Sequence, residues 1–262
     1  RADKCEMTGS ERCVAAYHKD CTKSQQPSPS SPAWWDGADA PHRLLSCLHL
    51  ASGDEGPPRP VLLFGGPGVG KTFTLQRLVE ALRLSLPGDG TVAVVAAVGL
   101  LASAIGGRTI HSWSGIGQWE PQETVETLVE RVQSNPGALS RWRKVVVLAF
   151  DDCSMVAGEL FDALEQLARI LRGNQSFFGG ICLLLQFDFL QLRPFWGTRV
   201  DGWEASPLFQ SHAWDHLEPH ALCIELTAQH RFCEDSDLCS LIRALRDGLD
   251  LNVSPGSNLR SP

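Results

Sequence analysis

Residues Val61 to Thr72 read VLLFGGPGVGKT, and this stretch decides the fold. A short apolar run ends in glycines, and Lys71 to Leu86 continues with helical spacing. Gly65-Gly66-Pro67-Gly68-Val69-Gly70-Lys71-Thr72 completes the pattern G-x-x-x-x-G-K-T between a strand and a helix. That context defines a P-loop: the glycines let backbone N–H groups turn inward around phosphate oxygens. The following helix adds partial positive charge at its N-terminus. Lys71 is then expected to reach the β and γ phosphates of a nucleotide, and Thr72 to hold Mg²⁺. The bland alternative is a glycine-rich turn that happens to precede a lysine.

A P-loop needs an acid at the end of a neighbouring strand. Val145 to Phe150 is a continuous apolar run that leads into Asp151-Asp152. Asp151 is expected to hold Mg²⁺, directly or through water, and Asp152 to orient the attacking water. Asp152 also suits a helix cap before Met155, and that reading stays open. Further buried-strand candidates are Val92 to Val98, Ile181 to Phe187 and Ala221 to Leu226. Leu160, Leu164, Leu167 and Leu171 share one face of an amphipathic helix. Near-continuous apolar strands alternating with helices imply an α/β fold with a mostly parallel sheet covered on both sides.

The chain has 262 residues, of which 43% are hydrophobic and 20% charged, so it can bury a core and is not wholly disordered. Its longest nearly apolar stretch, Val92 to Ile105, has 14 residues, too few for a membrane-spanning helix. Residues 1–41 read as a flexible segment and linker, rich in Ser, Pro and Gln from Thr22 onward; 42–251 read as the lobe and 252–262 as a tail. The nine cysteines lack a framework spacing, which favours a reducing compartment. Cys153, Cys182 and Cys223 sit in apolar runs as small hydrophobes. Cys5, Cys13, His18 and Cys21 match no common zinc spacing. A net charge of −7 supplies no global field for nucleic acid, so any DNA contact must come from a local groove.

Four segments taken together carry a resemblance. They are VVAAVGLLASAIGGRTIHSWSGIG from Val94, VLAFDDCSMVAG from Val147, FGGICLLLQFDFLQLRPF from Phe178 and LTAQHRF from Leu226. Their order and intervals resemble the PIF (petite integration frequency) DNA helicases, RecD-like members of superfamily 1B, from about Leu44 to Leu251. The resemblance implies a RecA-like lobe that uses ATP and Mg²⁺. It also implies 5′-to-3′ translocation on single-stranded DNA, action on forked or structured DNA, and roles in repair and recombination in the nucleus or mitochondrion. It places Gln191 where the family senses the γ-phosphate, and Arg231 on the arginine that contacts that phosphate. Their bland readings are a solvated loop amide and a surface arginine. Gly107, His111 and Trp113 fall in a stretch near the DNA path: Gly107 for close backbone approach, His111 for a phosphate, Trp113 to support a base or an adjoining loop. Trp113 serves equally well as a core plug.

The chain also departs from the family pattern. An Asp-Glu pair becomes Asp151-Asp152, a glycine becomes Phe187, the double proline becomes Arg193-Pro194, and a threonine becomes Ala96. No Gln occurs between Asp36 and Pro60, where an adenine-reading glutamine is expected. Nucleotide binding is therefore a safer expectation than fast hydrolysis. The chain reads as a fragment without a second motor lobe, and is expected not to unwind DNA by itself. The competing readings are a degenerate nucleotide-binding scaffold and an AAA-type ATPase, the latter lacking a helical lid after Asp250. Arg131, Arg141, Arg143 and Lys144 form a basic cluster suited either to solvent or to DNA.

Overall fold

The computed structural model describes residues 45–50, 56–86, 88–194, 205–231, 241–242 and 244–246. The flanking segments, the cysteine–histidine group near the start and the tail lie outside the described residues. Six parallel strands form one sheet: β1 (Val61–Gly65), β2 (Val92–Ala96), β3 (Arg108–Thr109), β4 (Val147–Asp151), β5 (Cys182–Phe187) and β6 (Leu222–Leu226). Their order across the sheet is β3-β2-β4-β5-β1-β6. Parallel neighbours require crossovers, which are the helices α1 (Lys71–Ser85), α2 (Gly99–Ala104), α3 (Ile110–Ser114), α4 (Val125–Gln133), α5 (Pro136–Lys144), α6 (Gly158–Arg172) and α7 (His212–Leu217).

Side chains alternate along each strand, so the sheet has two apolar faces. Val61, Leu63, Val94 and Leu184 pack under α1 through Leu75, Leu78 and Leu82. Leu62, Val95, Phe150 and Leu185 face the opposite layer, built on Trp142, Leu164 and Trp214. The four central strands thus bury both faces, as their unbroken apolar runs require. The outer strand β6 is only half-buried, and Cys223 on it is exposed rather than core. Cys153 and Cys182 are buried as expected, and burial pushes the Cys182 thiol up to about 12. Among the described residues, no helix is long and apolar enough to cross a membrane.

Two of the four cations in the basic cluster before β4, Arg131 and Arg141, are structural, and Arg143 and Lys144 are exposed. Arg131 donates to the carbonyls of Ile116 (2.6 Å) and Gln118 (3.2 Å) and pairs with Glu123. Arg141 donates to the carbonyls of Trp113 (2.7 Å) and Ser112 (3.1 Å). Beside them Trp142 is fully buried, donates from Nε1 to the Ser114 carbonyl at 2.9 Å, and meets Trp113 edge-on at 4.9 Å. Trp142→Ala is expected to cost about 3–5 kcal/mol, from the cavity and lost packing. Equilibrium urea unfolding measures it; an unchanged midpoint would show that the layer repacks without the ring.

Candidate nucleotide site

The sheet register brings the site together from distant segments. All strands run the same way, so their C-terminal ends share one rim. Gly65 stands beside Leu226, Phe64 beside Phe187, and Ala96 beside Asp151. Because β5 lies between β1 and β4, Asp188 emerges between the P-loop and Asp151-Asp152. Ligands of open parallel sheets bind at this rim.

The loop after β1 has the shape of an anion cradle. Gly65 has a φ of 151°, and a Cβ there would collide with the Leu226 carbonyl oxygen of the neighbouring strand. Helix α1 begins with no side-chain cap and no acid in its first turn; α2 and α6 also lack a side-chain cap, whereas Thr109, Thr124, Asn135 and Ser211 cap α3, α4, α5 and α7. An uncapped N-terminus at the end of a glycine loop suits a phosphate. Lys71 donates from Nζ to the Gly66 carbonyl at 2.9 Å and lies 3.9 Å from an oxygen of Asp188. Burial holds its pKa below the ordinary lysine value, with the nearby Asp188 opposing that shift. Pro67 and Gly68 are tied down by a further segment: Gln229 Nε2 donates to the Pro67 carbonyl and the His230 N–H to that of Gly68, each at 2.9 Å.

Thr72 Oγ1 donates to Asp151 Oδ1 at 3.0 Å across 79 residues of sequence. A hydroxyl and a carboxylate meeting beside a phosphate cradle are the hard oxygen donors that suit Mg²⁺. Burial raises the pKa of Asp151, and the Thr72 bond only partly offsets it. A raised pKa means that the ionised form is disfavoured in the native state, so stability present at low pH is lost as pH rises through the native pKa. Asp151→Asn keeps the shape and an acceptor for Thr72. It is expected to melt higher than the parent chain at pH 7, with the gain shrinking as pH falls into the ordinary carboxylate range, while Mg²⁺-dependent turnover is lost. Thermal melts across pH check this; a lower melt at pH 7 would show that the carboxylate stabilises the fold.

Asp152 occupies a left-handed turn with φ 53° and ψ 55°. Its N–H donates to Gln186 Oε1 at 2.5 Å, and its carboxylate accepts from Ser154 Oγ at 2.8 Å. It therefore opens the short 3-10 turn Cys153–Met155 without capping it by side chain. Gln191 donates from Nε2 to Asp188 Oδ2 at 2.8 Å, which sets it at the rim. Arg231 is exposed; a Cβ on Gly68 would stand 3.0 Å from its Cβ, so its backbone lies against the loop. Sequence reasoning missed Asp188, Gln186, Gln229 and Arg246. Asp188 and Gln186 had a signal, being polar residues at the end of the run CLLLQFD.

The stretch after β2 reaches the same rim beside Ala96. A Cβ on Gly107 would strike the Val94 carbonyl oxygen, so the glycine already has a packing reason there. His111 is half-buried, and burial lowers its pKa, favouring a neutral ring. Trp113 is 4% exposed and packed on Trp142. Of its two readings the structure favours the core plug, because no base can lie against a buried ring. Phe187 is accommodated by stacking on Phe189 at 4.4 Å and meeting Trp214 edge-on at 5.4 Å.

This fold and rim define a RecA-like P-loop lobe of the nucleotide-using kind. The chain belongs to the PIF1-like helicase family, whose pattern matches residues 52–248. It is 36% identical over 201 residues to the ATP-dependent DNA helicase RRM3 of Saccharomyces cerevisiae, covering 77% of this chain and 27% of that protein. The crystal structure of Pif1 helicase from Candida albicans superposes with a TM-score of 0.65 at 33% identity, covering 82% of this chain and 44% of that one. A Pif1 helicase from Bacteroides, in complex with ADP-AlF3 and ssDNA, shares the fold with a TM-score of 0.55 at 21% identity, over 78% and 46% of the two chains. The chain thus spans about a quarter of the length of the RRM3 helicase.

Proposed function

We propose that residues 42–251 are the ATP-binding first motor lobe of a DNA helicase, preceded by a linker over 1–41 and followed by a tail over 252–262. The observation that carries this is the meeting of Thr72 and Asp151 at 3.0 Å beside Lys71, in a chain of the PIF1-like family. Backbone N–H groups of Gly66 and of Gly68 to Thr72 cradle the phosphates, Pro67 having none to give, and Lys71 neutralises the outer ones. Thr72 and Asp151 would hold Mg²⁺, which would supply charge screening for the phosphates. Asp152 and Gln191 orient the attacking water, and Arg231 approaches the terminal phosphate from beyond the glycines. Single-stranded DNA, and in the whole protein forked or structured DNA, is the partner. Gly107 and His111 border its path, with Trp113 supporting them from the core.

Translocation, unwinding and work in repair or recombination, in nucleus or mitochondrion, belong to the whole protein. The scaffold reading is weaker because the P-loop lysine, the hydroxyl–carboxylate pair and the Gln191 amide all stand at one rim. Hydrolysis of Mg·ATP by the chain, with and without single-stranded DNA, tests the proposal. DNA-stimulated release of phosphate is expected. Nucleotide binding without any turnover would support the scaffold instead.

A further inference from the structure

Asp188 is 3% exposed and accepts bonds from three sides. Arg246 grips it with two parallel bonds, Nη1 to Oδ2 at 2.8 Å and Nη2 to Oδ1 at 2.9 Å. Gln191 Nε2 adds a bond at 2.8 Å and the Leu190 N–H one at 3.2 Å, while Lys71 stands 3.9 Å away. Arg246 comes from helical residues 58 positions beyond Asp188. Its guanidinium also overhangs the P-loop: a Cβ on Gly66 would lie 3.8 Å from Nε and 3.9 Å from Cζ. Arg231 lies against Gly68 instead, so the two arginines cover different glycines.

We infer that Arg246 lets this site distinguish a nucleoside triphosphate from a diphosphate, by moving part of its guanidinium fork from Asp188 to the terminal phosphate. The inference rests on the nucleotide-site reading above and adds a residue to it. Three features carry it. A planar guanidinium has five donors, so it can keep one carboxylate oxygen while taking a phosphate oxygen. Lys71 and Arg246 both crowd one buried carboxylate, at 3.9 Å and 2.8 Å from the same oxygen. A third phosphate group brings negative charge to these two cations, whereas a diphosphate, ending deeper in the cradle, leaves Arg246 with Asp188.

The test is equilibrium binding of fluorescent ADP and of fluorescent ATPγS, with Mg²⁺, to the 262-residue chain and its variants. Arg246→Ala is expected to lose about tenfold in affinity for ATPγS, the worth of one charge-assisted contact, and less than about twofold for ADP. Arg246→Lys keeps the charge without the fork and is expected to fall between the two; it keeps the test readable if the alanine variant melts early. Asp188→Asn, which loosens the grip on Arg246, is expected to move the ratio of the two affinities the other way. Equal losses for both nucleotides in Arg246→Ala, or an unchanged ratio, overturn the inference and leave the nucleotide site standing. Failure of the parent chain to bind either nucleotide overturns both.

Discussion

Replacing Lys71 by Ala is expected to cut ATP turnover by about 10²–10³-fold, while the melting temperature stays level or rises. The two halves of this expectation come from the same geometry. Without nucleotide, the ammonium group lies in a desolvated spot with one carbonyl at 2.9 Å and a carboxylate at 3.9 Å. Burial therefore holds its pKa down, and at neutral pH the native state bears the cost of keeping the charge. Asp188 does not become an orphan when Lys71 is removed, because Arg246, Gln191 and the Leu190 N–H still satisfy it. On the proposed nucleotide reading, the same charge meets phosphate oxygens in a low-dielectric cradle, where one donor is worth several kcal/mol to the reacting state. Phosphate release and a thermal melt on the same samples measure both halves. A melt that falls in step with turnover would make Lys71 a structural residue. Unchanged turnover would place the hydrolysis somewhere else.

Much of this site was legible because the sheet is parallel and buried. Central strands of that kind read as unbroken apolar runs, so the first hydrophilic residue after each run marks the rim. That logic locates Gly65, Asp151 and, with hindsight, Asp188. It fails at the sheet's edges. Arg108–Thr109 is a strand of two polar residues, invisible to any periodicity. Leu222–Leu226 reads as buried but lies half-exposed on the outside of β1.

Long-range polar pairings are equally hidden. Gln229 reaches Pro67 across 162 residues, and Arg246 reaches Asp188 across 58. Arg141, which reads as a surface cation, spends its donors on carbonyls 28 and 29 residues earlier. Charge type and spacing say nothing about such partners, since only the packed fold brings them together. The glycines show the opposite limit. The P-loop pattern is recognisable because backbone geometry, not a side-chain partner, selects its residues.

Asp152→Glu is expected to raise turnover by about 10–100-fold and to lower stability by on the order of 1 kcal/mol. The family resemblance pairs an aspartate with a glutamate here, and the shorter side chain draws the carboxylate back by about 1.5 Å, one bond length. In this chain the backbone cannot make up the distance. The left-handed turn is pinned by the bond from the Asp152 N–H to Gln186, and the carboxylate is turned to Ser154 Oγ at 2.8 Å. A glutamate on the same turn sets its carboxylate one bond further from the backbone. It does so from a backbone region that aspartate tolerates and glutamate resists, hence the loss of stability. Ser154→Ala separates the two effects, because it frees the aspartate without lengthening it and is expected to recover much less of the rate. Single-turnover phosphate release for the three proteins, with and without single-stranded DNA, decides the matter. If the glutamate variant is no faster than the parent, distance at this position does not limit the reaction. Water positioning then falls to Gln191, and the Asp152 turn serves to present the backbone of Cys153–Met155.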